Sequence, residues 1–168
     1  MNREARVTIT SMAFKGYGVS RFANQVIFIP YTASGDEARV EIVEQKRNYG
    51  MGRVKKLIVP SPWRSDPPCT YFGTCGGCQW QHIEGTKQAE IKRDILQEVL
   101  QRLGGLKEIP PITVVSSPKS YGYRIRVRLR TERKTLGYYR ERSHHIVDIE
   151  SCPIAHPLIN QLILLLRE

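Results

Sequence analysis

Long apolar runs are missing from this sequence. The longest, Leu162 to Leu166, falls far short of the roughly 20 residues a helix needs to cross a bilayer. Met1 to Arg6 holds no apolar core of the kind that opens a secretory signal. No membrane partner is expected, and the cytoplasm is the expected compartment. Cysteine is scarce, at 4 in 168 residues. In a reducing compartment so few cysteines read as thiols, metal ligands or catalytic groups and not as a disulfide framework. Internal repeats and low-complexity segments are absent, so neither a solenoid nor a disordered tail describes the chain. Acidic residues are in deficit, 16 against 26 lysines and arginines, which leaves a formal charge of +10 and a pI near 9.7. Such a balance suits a polyanionic partner, nucleic acid first, with a merely basic soluble surface as the lesser alternative on charge alone.

What is present points to a mainly β fold with an α+β second part. Hydrophobic residues make up 40% of the chain, enough for one ordinary core or two small ones. Val7–Thr10, Val26–Ile29, Arg39–Val43 and Arg53–Val59 read as short strands between glycine-containing turns. Such strands predict a small OB-like barrel over residues 1–60, an architecture that closes its sheet edges and presents loops to single-stranded nucleic acid. Within it, Phe14, Lys15, Gly16, Tyr17 and Gly18 set a cation and two aromatics beside glycines. Lys15 and Tyr17 are candidate base- and phosphate-contacting residues; a plain glycine turn with its aromatics in the core fits as well.

Pro60, Pro62, Pro67 and Pro68 break the strand pattern and suggest a boundary near residue 60, with a second domain over 61–168. Ile91, Ile95, Val99 and Leu103 recur at helical spacing, which predicts a helix over 86–103 stopped by Gly104 and Gly105. From Tyr121 the period becomes two. Tyr123, Ile125, Val127 and Leu129 alternate with Arg124, Arg126, Arg128 and Arg130, predicting a strand with one apolar and one cationic face. Same-face neighbours on a strand are about 6.6 Å apart, comparable to successive phosphates. The four arginines are therefore candidate RNA contacts, against the alternative of a solvated sheet face.

Cys69, Cys75 and Cys78 form a C-x5-C-G-G-C cluster, and Cys152 lies far downstream before Pro153. Three near ligands and one remote Cys-Pro fit iron–sulfur ligation. Zinc is the alternative, although structural zinc sites commonly use two short cysteine knuckles and only one short pair is present here. Gly76 and Gly77 are expected to permit a tight turn whose amides face sulfur. His82, His144 and His145 stand nearby in sequence, but four cysteines already complete a ligand set, so hydrogen bonding or RNA contact is their expected role. No fifth cysteine remains as a nucleophile.

The run from Cys69 through Cys75, Gly76, Gly77 and Cys78 to Gln79, Trp80, Gln81 and His82 resembles the cluster signature of the iron–sulfur RNA uracil-5-methyltransferases. Gly16–Phe22 and Val26–Pro30 are similar to the TRAM domain that precedes that signature. Leu136–Arg140 and Ile146–Pro153 are similar to the segment that ends in the fourth ligand. The resemblance covers essentially the whole chain. It departs from the family at Tyr123–Arg126, where members often carry Tyr-Arg-Asn-Lys, and at Gly85, a commonly aromatic position.

The resemblance implies a TRAM domain followed by a cluster-binding RNA-recognition domain, with a 4Fe-4S cluster on Cys69, Cys75, Cys78 and Cys152. It also implies methylation of uracil C5 from S-adenosylmethionine, by a cysteine that adds to C6 and a carboxylate that removes the C5 proton. Those groups belong to a Rossmann-like domain farther along the family's chain. This chain shows no glycine-rich strand-to-helix turn for that cofactor, so no catalytic residue is assigned in it and inactivity alone is expected. Ribosomal RNA is the expected partner, with transfer RNA as its rival. A standalone RNA-binding iron–sulfur module without activity and a cluster-based redox sensor are the alternative functions. Leu158, Ile159 and Leu162–Leu166 crowd a predicted helix after Pro157 with more apolar residues than one face holds. Either they dock a methyltransferase domain in the same or a partner chain, or they complete a local core.

Overall fold

The computed structural model describes residues 3–167. Its contacts divide the chain into two compact units, each discontinuous in sequence: residues up to Asp66 with His82–Ser116, and Pro67–Gln81 with Ser117 onward.

The first unit is built on one mixed sheet of six strands: β1 (Arg3–Thr8), β2 (Ser11–Ala13), β3 (Tyr17–Phe22), β4 (Gln25–Ile29), β5 (Glu37–Gln45) and β6 (Tyr49–Val59). Their order in the sheet is β1-β5-β6-β4-β3-β2. The two outermost strands, β1 and β2, are separated in sequence only by Ile9 and Thr10. At that step Ile9 N donates to Asp36 O (2.8 Å) and Thr10 N donates to Val19 O (2.9 Å). One continuous stretch thus passes from one end of the sheet to the other, and the sheet must curl. Register shifts between β5 and β6 at Glu37/Ala38, Arg39/Val40 and Ile42/Glu44 add the local twist that curling requires. Ile9, Ile27, Ile29, Ala38 and Val40 fill the inside.

This is the mostly β, half-barrel architecture that the strand pattern predicts. β2 and β3 are additional to the four predicted strands. They flank a 3-10 turn at Phe14–Gly16; β2, of three residues, is too short for an alternation to show, and the buried positions of β3 are Gly18 and Ser20, which carry no apolar signal.

Helix α1 (Gly85–Arg102) agrees closely with the predicted span. Only the front of its apolar stripe is covered. Ile91 is buried, whereas Val99 and Leu103 are exposed. Leu106 N donates to Leu100 O (3.2 Å) and Gly104 N to Val99 O (3.1 Å), closing the helix end.

A single linear cut near residue 60 does not describe these units, because the chain after β6 is sewn back to the sheet. The carboxylate of Asp36 accepts from Ala33 N, Ser61 N and the Arg64 guanidinium. Arg64 forms an isolated bridge with Ile83, and Ser65 N donates to His82 O (3.1 Å). His82 Nε2 lies 3.0 Å from Thr32 O. Since a carbonyl oxygen accepts only, that nitrogen carries the proton.

The second unit holds the antiparallel sheet β7 (Arg130–Glu132), β8 (Thr135–Tyr139) and β9 (Ile146–Asp148), followed by α2 (Pro157–Leu165). Pro157 takes the first helical turn, where its missing N–H leaves nothing unpaired, and His156 Nδ1 caps by accepting from Leu158 N (3.3 Å). Ile149, Cys152, Ile154, Ala155 and Ile163 form the core, with Val127, Leu129, Leu136 and Tyr138 packed on it. Asp148 accepts from Leu136 N (2.8 Å) and from Arg167. The Arg167 guanidinium holds its carboxyl at about 2.

The strand predicted from Tyr121 to Arg130 is a correction. Regular pairing begins only at Arg130; before it stands one isolated bridge, Arg124 with Ala155. Val127 and Leu129 keep the inward face, but Tyr123 and Ile125 are 48% and 76% exposed. The physical reason is local. Arg124 N donates to Ile154 O (2.8 Å) and His156 N donates to Arg124 O (2.9 Å), so the segment is held at one residue and finds no ladder beyond it.

Candidate cysteine site and basic surface

Within the second unit, the loop that carries Cys69 is wound by Phe72 N donating to Cys69 O (3.1 Å) and Cys75 N donating to Tyr71 O (2.8 Å). Glu150 N donates to the hydroxyl of Tyr71 (3.1 Å), which ties this loop to the segment leading into Cys152. Cys152 N donates to Asn160 Oδ1 (2.8 Å), and Asn160 Nδ2 returns a bond to Cys152 O (3.1 Å). Helix α2 thereby fixes the remote cysteine.

Between Cys75 and Cys78 the glycines act as the spacing predicts in one respect. Gly77 N donates to Cys75 Sγ (3.4 Å). Gly76 serves close approach: its N donates to Tyr139 O (3.0 Å), and a Cβ there would lie 2.9 Å from that oxygen. A side chain at 76 would push the cysteine turn off the end of β8. At Gly137, one strand face away, a Cβ would collide with the Val147 carbonyl oxygen, so glycine is what lets β9 pair this tightly with β8.

All four cysteines are free thiols, Cys152 buried and the others half-buried. Burial pushes the thiols of Cys69, Cys75 and Cys78 up, and the other cysteines add to it. Charge on Cys152 acts on all three, and charge on Cys69 acts on both Cys75 and Cys78. The Gly77 amide opposes this at Cys75, and the Gln81 side chain and Arg124 oppose it at Cys78. Four sulfurs thus share one electrostatic neighbourhood. Among the described residues, no three His, Cys, Asp or Glu side chains converge closely enough to hold a single metal ion. A lone zinc bonds sulfur at about 2.3 Å and would draw four sulfurs to roughly 3.8 Å apart. These thiols are near enough to feel one another and are not gathered around so small a centre.

Tyr138 is the residue at this site that sequence reasoning missed. Its hydroxyl is fully enclosed and has no hydrogen-bond partner among the described residues. Burial, and then charge on Cys152, push that hydroxyl up. The signal was available in the alternation of β8, which puts Leu136 and Tyr138 on the core face.

The candidate RNA contacts are dispersed over the two units. In the first, Lys15 is exposed with a left-handed backbone (φ 66°). The open aromatic beside it is Phe14, 72% exposed, while Tyr17 is half-buried at the start of β3. In the second, Arg126, Arg128 and Arg130 are exposed, and the Arg130 guanidinium stands 5.3 Å from the Tyr139 ring centroid. The charge of Arg124 acts on Cys78.

Comparison with known proteins bears on both units. Residues 2–55 match the TRAM domain family. The chain is 35% identical to an uncharacterized RNA methyltransferase of Aquifex aeolicus, over 99% of this chain and 39% of that protein. It is 34% identical to the 23S rRNA (uracil(1939)-C(5))-methyltransferase RlmD of Pectobacterium atrosepticum, over 96% of this chain and 37% of that one. Among solved structures, the tRNA (uracil-54, C5)-methyltransferase of Pyrococcus abyssi, crystallised with S-adenosyl-L-homocysteine, superposes with a TM-score of 0.71 at 32% identity, covering 96% of this chain and 35% of that one. The chain spans little more than a third of the length of each of these relatives. It therefore carries a TRAM domain and is homologous, along nearly all of its own length, to RNA uracil-5-methyltransferases.

Proposed function

We propose that this chain is the RNA-recognition portion of an S-adenosylmethionine-dependent RNA uracil-5-methyltransferase acting in the cytoplasm, and that Cys69, Cys75, Cys78 and Cys152 hold a 4Fe-4S cluster. The observation that supports the proposal is that four free cysteines lie in one unit of a chain homologous to such enzymes. The donor set suits a cluster, whose sulfide cage keeps its thiolates farther apart than one ion would. Tyr138, whose enclosed hydroxyl has no partner among the described residues, packs on the same core as Cys78 and Cys152, and a buried donor wants an acceptor.

When bound, the cluster supplies a rigid link between the Cys69–Cys78 loop and Cys152. The chain's own residues do the rest. Lys15 and Phe14 offer charge and a stacking face to a base, and Arg126, Arg128 and Arg130 offer guanidinium groups to phosphates. Methyl transfer belongs, on this reading, to a cofactor-binding domain in the same or a partner chain, and the 168 residues alone do not perform it.

Ribosomal RNA is the proposed substrate, in keeping with the RlmD relative. Transfer RNA is the second reading, favoured by the superposition on the tRNA enzyme. Filter binding with a 23S rRNA fragment and a tRNA transcript, both at several salt concentrations, tests the proposal. Tighter, salt-sensitive retention of the rRNA fragment is expected; preference for tRNA gives the second reading, and no retention of either rejects RNA recognition.

A further inference from the structure

Strand alternation turns Ile27 and Ile29 of β4 into the first unit's sheet, where both are enclosed, and so turns Val26 and Phe28 outward. An outward sheet face ordinarily carries polar side chains. Here the register sets Val26 level with Arg21 of β3 on one side and with Tyr49 of β6 on the other. A cation and an aromatic therefore stand two strands apart, about 10 Å between their backbones, over an apolar floor. In the next row Val19 of β3 lies level with Phe28. The Phe28 and Tyr49 rings meet edge to face with centroids 5.8 Å apart, and Tyr49 is 39% exposed.

Two loops meet at the end of this face. The side-chain amide of Gln25 donates to Lys46 O (3.1 Å) and to Arg47 O (2.8 Å), and its Oε1 accepts from Gln45 Nε2 (2.8 Å). The turn joining β3 to β4 is thereby fastened to the loop joining β5 to β6, which fixes Arg47 at the rim two residues from Tyr49. Lys46 is engaged by Glu44 at 2.7 Å. Arg21 and Arg47 are exposed, and no ion pair among the described residues engages either. Cations without a counter-ion, set around aromatic rings on a preformed pair of loops, suit a ligand that carries both phosphates and planar bases.

We propose that this outward face of β3, β4 and β6 binds a single-stranded segment of RNA: Tyr49, backed by Phe28, stacks an unpaired base, and Arg21 and Arg47 take phosphates on either side of it. The inference rests on the RNA-recognition reading given above. It deepens that reading by naming the form of RNA taken and a contact surface made of residues other than Phe14, Lys15 and the arginines of the second unit. Stacking is indifferent to base identity, because every base has a π-face, so this face supplies affinity and leaves the choice of uridine to other groups. A duplex keeps its bases covered by their neighbours and offers nothing for Tyr49 to stack on.

Fluorescence anisotropy of the 168-residue chain with labelled oligouridylate, oligoadenylate and an RNA duplex of equal length tests this. The unaltered chain should bind both single strands more tightly than the duplex. Tyr49→Leu should weaken single-strand binding on the order of 5- to 150-fold, the worth of stacking one base, while leaving the salt slope and the duplex affinity unchanged; Tyr49→Phe should restore it. Arg21→Gln and Arg47→Gln should each lower the log–log salt slope by about 0.7. These two exposed arginines decide the matter should Tyr49→Leu melt early: a double variant with unchanged affinity and slope overturns the proposal. Single-strand binding that survives all of these substitutions but falls with Arg126→Glu places the RNA elsewhere, leaves RNA recognition standing and gives this face to a protein partner. An unaltered chain that retains neither the oligonucleotides nor the 23S rRNA fragment and tRNA transcript overturns both readings.

Discussion

Arg64 meets the buried carboxylate of Asp36 edge-on, with Nε donating to Oδ1 at 2.8 Å and Nη2 to Oδ2 at 2.7 Å. The same Nη2 donates to Tyr31 O (3.0 Å). Asp36 is fully enclosed and also accepts from Ala33 and Ser61, so one ion pair joins the turn after β4, the start of β5 and the chain leaving β6. Arg64→Ala would leave a buried charge facing two amides only. We expect a loss of about 3–5 kcal/mol, measured by urea unfolding. Arg64→Lys should recover less than half of it, since an ammonium cannot present two parallel donors.

Stability should fall with acid in two steps. Burial is the largest influence on His82 and lowers its pKa. The unfolded imidazole therefore takes a proton first, and stability present at neutral pH begins to be lost below about 6.5. For Asp36 burial is the largest influence and raises the pKa, but the Arg64 bond and the Ala33 and Ser61 amides outweigh it, so the value is lowered overall. Its contribution is held above the unfolded value of about 3.9 and lost as pH falls further. Thermal melts from pH 8 to 3 should show both limbs, and His82→Gln should remove the upper one. A flat profile between pH 7 and 5 in the unaltered chain would contradict the assignment for His82.

RNA affinity should depend steeply on salt, because cations on an exposed surface act by displacing counterions. Arg126→Glu and Arg128→Glu should each weaken binding, and losing one phosphate contact should lower the log–log salt slope by about 0.7 for single-stranded RNA. Arg124 is predicted to behave differently. Its charge acts on Cys78 and its backbone is bonded to Ile154 and His156, so Arg124→Glu should disturb iron loading as well as RNA binding. Comparing iron content across the three variants separates the two roles.

How far the sequence was legible follows from what each feature depends on. Helix α1 depends on its own period and terminal glycines, so its span was readable to within a residue or two. β4 was readable in the same way. The alternation at Tyr121–Arg130 was real but incomplete as evidence. Val127 and Leu129 do face the core, yet a strand needs a neighbour, and the neighbour is a property of the fold. The division into units was obscured for a similar reason: Asp36, Arg64 and His82 are distant in sequence, and nothing local marks them as partners. At the cysteine site, spacing singles out Cys69, Cys75, Cys78 and Cys152 as candidates. Tyr138 stayed hidden because its significance lies in an enclosed oxygen, and enclosure is not written in any motif.

The cluster reading has a direct stoichiometric test. Anaerobically prepared protein should carry about four irons and four sulfides per chain. Cys152→Ser should lower that content sharply and loosen the second unit, because the link to the Cys69–Cys78 loop is lost. Zinc at one per chain with no iron would reject it. An unaltered melting curve for Cys152→Ser would remove Cys152 from the ligand set.

The last expectation concerns α2, where burial separates one residue from its neighbours. Ile163 is fully enclosed in the core, whereas Leu162 is 51% and Leu165 65% exposed, with Leu158, Leu164 and Leu166 also open. The helix thus anchors in its own unit through Ile163, with Ile159 packed on the same core and Asn160 bonded to Cys152, and leaves an apolar surface on its other faces. Ile163→Ala should cost about 2–5 kcal/mol, the usual range for emptying an enclosed aliphatic site. Leu162→Lys with Leu165→Lys should change stability by no more than about 0.5 kcal/mol each, since neither side chain loses a buried contact. The exposed leucines should instead govern association. Sedimentation velocity of the unaltered 168-residue chain is expected to show concentration-dependent self-association, and the double lysine variant should sediment as a monomer with its melting curve preserved. A double variant that unfolds would place those leucines in the local core after all, and a strictly monomeric unaltered chain at high concentration would show that the open face of α2 does not promote association.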